Sequence, residues 1–369
     1  MKALVLHAVN DIRLKDVKEP VLCKGQALVK VHACGICGSD IPRIYVNGTY
    51  HFPTIPGHEF AGEVVEIYSD SDRDREYLNK RVGIFPLIPC MECTQCRMGH
   101  YEMCSNYDYL GSRCDGGFAE YVKVPTWNLI KLPDNVSYED AAMLEPMSVA
   151  VHSIRKAIGA ADTTLDKSAK IAVIGLGTIG LLITMFLRNM GYENVYAIGN
   201  KDFQKETVIK LGIKKEKYLD FRSVVDILEA NGNTSKEKLN KSQPFLGGFD
   251  LVFEAVGKND TINLAIRLSA PLAAVCLVGN PASDISFDKN VYWMILRKQL
   301  LVTGTWNSSF THEEDDDWNY VINQLADAKI HPKELITHRF PLDKLCEGLD
   351  IMHYKKENYI KVMGIFDED

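Results

Sequence analysis

The sequence predicts an α/β chain in which a doubly wound parallel sheet follows a strand-rich amino-terminal part, and three observations carry that expectation. The first 150 residues read as short strands broken by Gly, Pro and Asn. From about Lys170, continuous apolar strands alternate with helix-length segments. The first of those strands runs into Gly175-Leu176-Gly177-Thr178-Ile179-Gly180, a glycine spacing that suits a strand-to-helix turn. At 369 residues, 46% hydrophobic and 25% charged, the composition is that of a folded chain long enough for two domains. A net charge of −7 gives no basic field for general nucleic-acid binding. The opening MKALVLHAVNDIRLKD loses its apolar run at His7, unlike a secretory signal. Ile171 to Leu187, the most membrane-like stretch, carries three glycines and two threonines and stops at Arg188, short of a bilayer span. A cytoplasmic protein with small-molecule partners, binding neither nucleic acid nor membrane, is therefore expected.

In chain order, KALVLH, QALVKVHA, EFAGEVVEI, VGIFP and FAEYVKV are the expected early strands. IAVIG is apolar throughout, as a strand covered on both faces must be. TIGLLITMFLRNM follows as a helix stopped by Gly191. NVYAIG, DFQKETVIKLG, FDLVFEAVG, TINLAIRLS and AAVCLVGN continue the alternation of strand and helix. The polar stretch from Asn231 to Gly248 reads as an exposed insertion. The acidic run from Glu313 to Asp317 reads as the solvated face at the start of a helix, and YIKVMGIF as a closing strand.

Three sets of residues carry chemistry. Gly175, Gly177 and Gly180, with Thr178 and Ile179 opening the helix, allow a tight turn, close approach of backbone to a pyrophosphate, and free N–H groups for its oxygens. An NAD enzyme is expected to end its second strand in a carboxylate that holds the ribose hydroxyls. Here that position is Gly199, followed by Asn200 and Lys201, which leaves room and positive charge for a 2′-phosphate. NADP is thus favoured over NAD, with Asp202, three residues late, as the alternative ribose partner. Of ten cysteines, Cys90, Cys93, Cys96 and Cys104 fall in the spacing C-x2-C-x2-C-x7-C, suited to a tetrahedral thiolate shell and so to a structural zinc. Cys37 in CGICGSD, His58-Glu59 in PGHEF and Glu145 in LEPMSVAVH supply the thiolate, imidazole and carboxylate donors of a second, catalytic zinc with an open position.

In that order, these motifs resemble the zinc-dependent medium-chain dehydrogenases across essentially the whole chain, and most of all their polyol and polyol-phosphate branch. The resemblance implies a GroES-like, mainly-β catalytic domain at residues 1–156 and 297–369. A zinc lobe lies at about 88–105, and a Rossmann domain at 157–296 is inserted into the catalytic domain. It also implies two zinc ions per chain, interconversion of a secondary alcohol and a ketone by hydride transfer, and a homodimer or homotetramer built on edge strands such as LLVTGTW. Cys37, His58, Glu59 and Glu145 would hold the catalytic zinc. Ser39 would start a proton relay, and Asp40 would either fix the tautomer of His58 or cap the adjoining helix. Arg43 and Arg113 are candidate phosphate ligands, with surface ion pairs as their plainer role. Cys114 stands where the family tends to have a second basic residue. A dehydrogenase for unphosphorylated polyols, or a zinc-stabilised NADP(H)-binding protein without activity, are the alternatives.

Overall fold

A computed structural model describes residues 1–160, 165–232 and 247–366. The chain divides into two units, Met1–Ser148 with Ser308–Asp369, and Val149–Asn307. No helix among the described residues is long and apolar enough to cross a membrane.

The first unit is built from β1 (Lys2–Ala8), β2 (Asp11–Asp16), β3 (Gln26–Ile36), β4 (Glu59–Tyr68), β5 (Arg81–Ile84), β6 (Leu87–Ile88), β7 (Asp108–Tyr109), β8 (Tyr121–Pro125) and β9 (Leu129–Lys131). A central sheet runs β16 (Ile336–Phe340), β17 (Lys361–Ile365), β3, β4, β5, β9, with β8 on β3; two-stranded ribbons β1–β2 and β6–β7 lie outside it. Leu4, Leu6, Val29, Val31, Phe60, Val64, Phe118 and Val122 meet in its core, where side chains alternate inward along each strand. Two registers in this sheet bring distant polar residues together. Antiparallel β3 and β4 set Gly35 opposite Glu59, so Cys37, just past β3, and His58, just before β4, lie side by side. Antiparallel β17 sets Val362 opposite Ile36, which returns Lys361 to the same spot from the far end of the sequence.

In the second unit, β10 (Ile171–Ile174), β11 (Val195–Gly199), β12 (Tyr218–Asp220), β13 (Phe249–Glu254), β14 (Ser269–Leu277) and β15 (Leu301–Gly304) form one parallel sheet in the order β12-β11-β10-β13-β14-β15. This is the doubly wound order, with the chain reversing direction of growth beside β10. Every residue of β10 and β11 is buried, the reason those strands are continuously apolar. Helices Thr178–Asn189, Asp202–Lys210, Phe221–Gly232 and Asn259–Leu268 make the crossovers.

Two features differ from expectation. The units part at Ser148/Val149 and at Asn307/Ser308, because β15, which the 157–296 bounds would cut off, pairs with β14 as the sixth strand. The acidic run is solvated only in its first part: Glu313, Glu314 and Asp315 are exposed, but the helix starts at Asp317, and Asp316 and Asp317 are buried. Asp316 caps the helix by accepting from Asn319 N at 2.8 Å and takes a further bond from Thr311 N at 2.9 Å; Asp317 accepts from Ser309 N at 2.8 Å. Unpaired backbone donors at a helix start attract carboxylates, and that local need outweighed the solubility of the charges. Most of the polar stretch from Asn231 to Gly248 lies outside the described residues.

Candidate active site

Cys37, His58 and Glu59 bring one sulfur, one nitrogen and one oxygen within 4.8 Å of one another. His58 and Glu59 are almost wholly buried, as is Asp40 behind them. Local packing fixes His58: Gly57 has φ +94°, and a Cβ there would lie 2.5 Å from the Phe118 ring, so only glycine makes this turn. Nδ1 of His58 faces Asp40 Oδ1 at 3.3 Å, leaving Nε2 as the nitrogen available for a metal. Asp40 Oδ2 accepts from Cys37 N at 2.9 Å, so one carboxylate aligns both donors. Of its two expected roles, orienting His58 is the one the geometry supports, since the short helix beyond Ser39 has no side-chain cap. The Ser39 hydroxyl donates to Cys37 Sγ at 3.3 Å and accepts from Arg43 Nη1 at 3.2 Å; Arg43 also stands 3.6 Å from Asp40.

Glu59 is gripped by Lys361, a fully enclosed lysine that also donates to Ile36 O at 3.2 Å. Gly35 makes the pair possible, because a Cβ there would sit 2.4 Å from Glu59 Oε2 and 2.8 Å from Lys361 Cε. Burial alone would push the Lys361 ammonium down, but Glu59, Cys37 and Glu145 outweigh it and hold it above its ordinary value. His58 behaves alike: burial works against its charge, while Asp40 and Cys37 raise it well above the usual imidazole range. Burial also opposes the charge on Asp40, yet His58 and Arg43 keep its carboxyl low. Glu145 lies beside this trio without joining its 4.8 Å cluster, and its Oε1 accepts from Tyr109 OH at 3.3 Å. Burial pushes its carboxyl up to about 7; His58 pulls the other way and Glu59 adds to the rise.

The four clustered cysteines converge as their spacing requires. Cys90 and Cys96 sulfurs are 4.0 Å apart, and Cys93 and Cys104 sulfurs 3.9 Å. A tetrahedron with metal–sulfur bonds of about 2.3 Å has edges of about 3.8 Å, close to both of these separations, and all four sulfurs lie within 4.8 Å of one another, so the lobe suits a zinc ion. Backbone N–H groups of Cys96 and Ser105 draw the Cys93 thiol down to about 5, while burial and the neighbouring sulfurs drive Cys96 up to about 12. Held as thiolates, four sulfurs so close would repel one another unless they shared a cation.

In the second unit, the fingerprint sits between β10 and helix Thr178–Asn189, with Gly177 as the residue preceding the helix. Gly175 has φ +92°, and a Cβ on Gly180 would fall 1.8 Å from Gly175 O, so helix and turn touch through hydrogen atoms only. Nothing lies within 4 Å of a Cβ built on Gly177, which leaves its backbone open to a ligand. Thr178 and Ile179 form the first helical turn. Gly199 ends β11, Asn200 N donates to Gln204 Oε1 at 3.4 Å, and exposed Lys201 precedes helix Asp202–Lys210.

The amino-terminal residues 23–134 match the alcohol dehydrogenase GroES-like domain, and residues 139–363 match the glucose dehydrogenase C-terminus. The chain is 31% identical over 353 residues to galactitol 1-phosphate 5-dehydrogenase of Escherichia coli K12, covering 95% of both chains. The chain belongs to the zinc-dependent medium-chain dehydrogenase family. It is also 26% identical over 369 residues to sorbitol dehydrogenase of Bacillus subtilis, covering 98% of this chain and 96% of that one. Among solved structures, a candidate zinc-binding dehydrogenase of Sinorhizobium meliloti bound to NADP superposes with a TM-score of 0.83 at 26% identity, covering 99% of this chain and 98% of that one.

For this dehydrogenase the structure thus gathers Cys37, Ser39, Arg43, His58 and Glu59, with Glu145 alongside, and separately Cys90, Cys93, Cys96 and Cys104. Arg113 is held differently: its guanidinium stacks between the rings of Tyr50 at 4.2 Å and Tyr107 at 4.4 Å, and Nη1 donates to Tyr107 O at 3.1 Å. Cys114 next to it is half-buried, its thiol pushed up to about 12 by burial and by Asp108 and Asp115. Sequence reasoning missed Lys361 and Tyr109. Nothing local in YIKVMGIF singles out its lysine; a charged residue inside an otherwise apolar closing strand was the one available sign. We expect Cys93→Ser to lower zinc content by one ion per chain and to depress the melting temperature by several degrees, measured by metal analysis and calorimetry. Unchanged melting with full zinc would refute the structural role of the lobe.

Proposed function

We propose that this dehydrogenase interconverts a secondary alcohol of a polyol phosphate and its ketone, with NADP preferred to NAD. The observation that carries the chemistry is the buried Cys37–His58–Glu59 cluster with Asp40 aligning both Cys37 and His58. We assign catalysis to the unit of residues 1–148 and 308–369, and dinucleotide binding to residues 149–307. When bound at this cluster and at the four-cysteine lobe, two zinc ions would supply Lewis acidity toward the substrate hydroxyl and structural cross-linking, while the nicotinamide would accept the hydride. The alcohol loses a proton from oxygen and a hydride from carbon. Ser39, hydrogen-bonded to Cys37 and Arg43, would receive that proton and hand it on. The Arg43 guanidinium disfavours a second positive charge there and so speeds the handover. Glu145, whose carboxyl is pushed up to about 7, would be available beside these residues as a further, exchangeable oxygen ligand.

For the phosphate, Arg113 is the better candidate of the two arginines, since Arg43 is committed to Ser39 and Asp40. Two aromatic faces hold the Arg113 guanidinium flat, and its Nε is buried with no hydrogen-bond partner among the described residues. Cys114 favours the second reading, an unphosphorylated polyol, because one cation fewer stands at this place. Similarity to both a galactitol 1-phosphate and a sorbitol dehydrogenase is compatible with either.

The preference for NADP rests on the end of β11. Gly199 repels no phosphate, and exposed Lys201 adds positive charge. Asp220, at the register position beside Gly199, is occupied in capping the next helix through Ser223 N and Oγ, both at 2.9 Å. Reduced thiols at both metal sites fit a cytoplasmic location. A second copy would dock on the free edge of β15, where Leu301 and Val302 are exposed beside Tyr292, Trp293 and Leu296 of helix Lys289–Lys298.

Turnover of galactitol 1-phosphate, galactitol and sorbitol with each nucleotide tests the proposal. We expect the phosphate ester with NADP to give the highest kcat/KM, and NADP to exceed NAD by at least about tenfold, the effect of one charge-assisted contact. Gly199→Asp should reverse the cofactor order; its new Cβ meets only the ends of the Leu176 and Gln204 side chains, which can move. Better turnover of free sorbitol, or of NAD, would reject the corresponding half of the proposal. Val302→Lys should shift the sedimenting species from dimer or tetramer to monomer, and an unchanged assembly would exclude this edge as the interface.

A further inference from the structure

Glu254 takes no part in the alcohol chemistry, yet it is the last residue of β13, fully buried and densely hydrogen-bonded. Its Oε1 accepts from Val256 N and Gly257 N, each at 2.9 Å, and from the Thr261 hydroxyl at 2.7 Å; Oε2 lies 3.2 Å from Gly257 N. The carbonyl of the same residue accepts from Val278 N at 2.8 Å and Gly279 N at 2.9 Å. One residue therefore ties together the turn after β13, the start of helix Asn259–Leu268 and the end of β14.

These turns have no slack. A Cβ on Gly175 would lie 2.3 Å from Val256 Cγ2, and a Cβ on Gly279 would lie 2.1 Å from Gly257 N. The first glycine of the fingerprint thus leans on Val256, whose backbone Glu254 fixes. The carboxyl ends of parallel strands at the reversal of strand order are where a dinucleotide binds. A buried carboxylate is a poor means of stabilising a core, since an apolar residue of the same volume does as well or better. What it alone provides is acceptors on both oxygens and no donor, matching three donors that converge on it.

We propose that Glu254 is a positioning residue for the dinucleotide: it holds the Ala255–Gly257 turn against Gly175 and Gly279 and so sets the shape of the nucleotide cleft. The proposal rests on the dinucleotide reading of this unit. It predicts that Glu254→Gln, which removes the carboxylate charge and turns an amide N–H toward Gly257 N in place of Oε2, weakens NADPH binding while sparing turnover at saturating cofactor.

The test is fluorescence titration of NADPH and NADH into the full-length parent enzyme, Glu254→Gln, Thr261→Val and Val224→Ala, with melting temperatures and kcat and KM for each. Val224 is in the core of the same unit, on helix Phe221–Gly232 rather than in any of these turns, so it controls for general loosening. Glu254→Gln should raise the dissociation constant and cofactor KM at least about tenfold with kcat within about threefold, as expected for one lost charge-assisted bond. Thr261→Val, which removes a single donor, should raise them by a smaller factor, and Val224→Ala should leave them unchanged. Parent-like binding in Glu254→Gln overturns the proposal, as does equal weakening in Val224→Ala at a matched fall in melting temperature. If Glu254→Gln does not fold, Thr261→Val decides: parent-like affinity there overturns it. A parent that binds neither nucleotide overturns the dinucleotide reading, and this proposal with it.

Discussion

The buried pair of Glu59 and Lys361 is the constraint on which the catalytic unit turns. Both side chains are withdrawn from water, where an unpaired charge costs several kcal/mol, so each demands the other. Glu59 sits on β4, Lys361 on β17, and both strands flank β3, which leads into Cys37. To satisfy the pair, residues 302 positions apart must meet across the central sheet. Doing so fixes the register of three strands at the point where Cys37 and His58 emerge. Asp40 repeats the device on a smaller scale, opposing His58 with one oxygen and holding Cys37 N with the other. The cluster gathers groups of both signs around buried His58 and Glu59, where a divalent cation held by Cys37, His58 and Glu59 would complete the balance.

In the second unit, close contact between backbones does the corresponding work. Gly175, Gly180, Gly257 and Gly279 let three turns meet where a Cβ would not fit, and Glu254 locks those turns from within the sheet. One unit thus controls position through buried charge, the other mainly through steric exclusion and one anchored carboxylate. A reaction that moves a hydride between substrate and nucleotide needs both kinds of rigidity, since neither reactant can be allowed to drift.

Much of this was legible in the sequence because the informative residues are local. C-x2-C-x2-C-x7-C closes its own shell, GxGxxG lies between its own strand and helix, and the burial of β10 and β11 is written in their apolar runs. What stayed hidden depends on long-range register. Lys361 carries no motif of its own and acquires meaning only when β17 pairs with β3. For Arg113 the sequence left a phosphate ligand and a surface ion pair equally open, and only the fold shows Tyr50 and Tyr107 closing on its guanidinium from both sides. The acidic run was legible only in part: Glu313 to Asp315 are solvated as composition suggests, whereas Asp316 and Asp317 answer to specific backbone N–H groups. Glu254 was passed over for the same reason: its partners are backbone donors, invisible in a string of letters.

The central claim, that Cys37 and His58 with a neighbouring carboxylate hold a catalytic zinc distinct from the four-cysteine lobe, is tested most directly by counting metal. Native mass spectrometry of the parent protein and of His58→Ala, with nucleotide binding measured on the same samples, is the experiment. The account predicts two zinc ions per chain in the parent and one in the variant. It also predicts abolished turnover and retained dinucleotide binding in His58→Ala. A single zinc in the parent, or two in His58→Ala with activity intact, would contradict it.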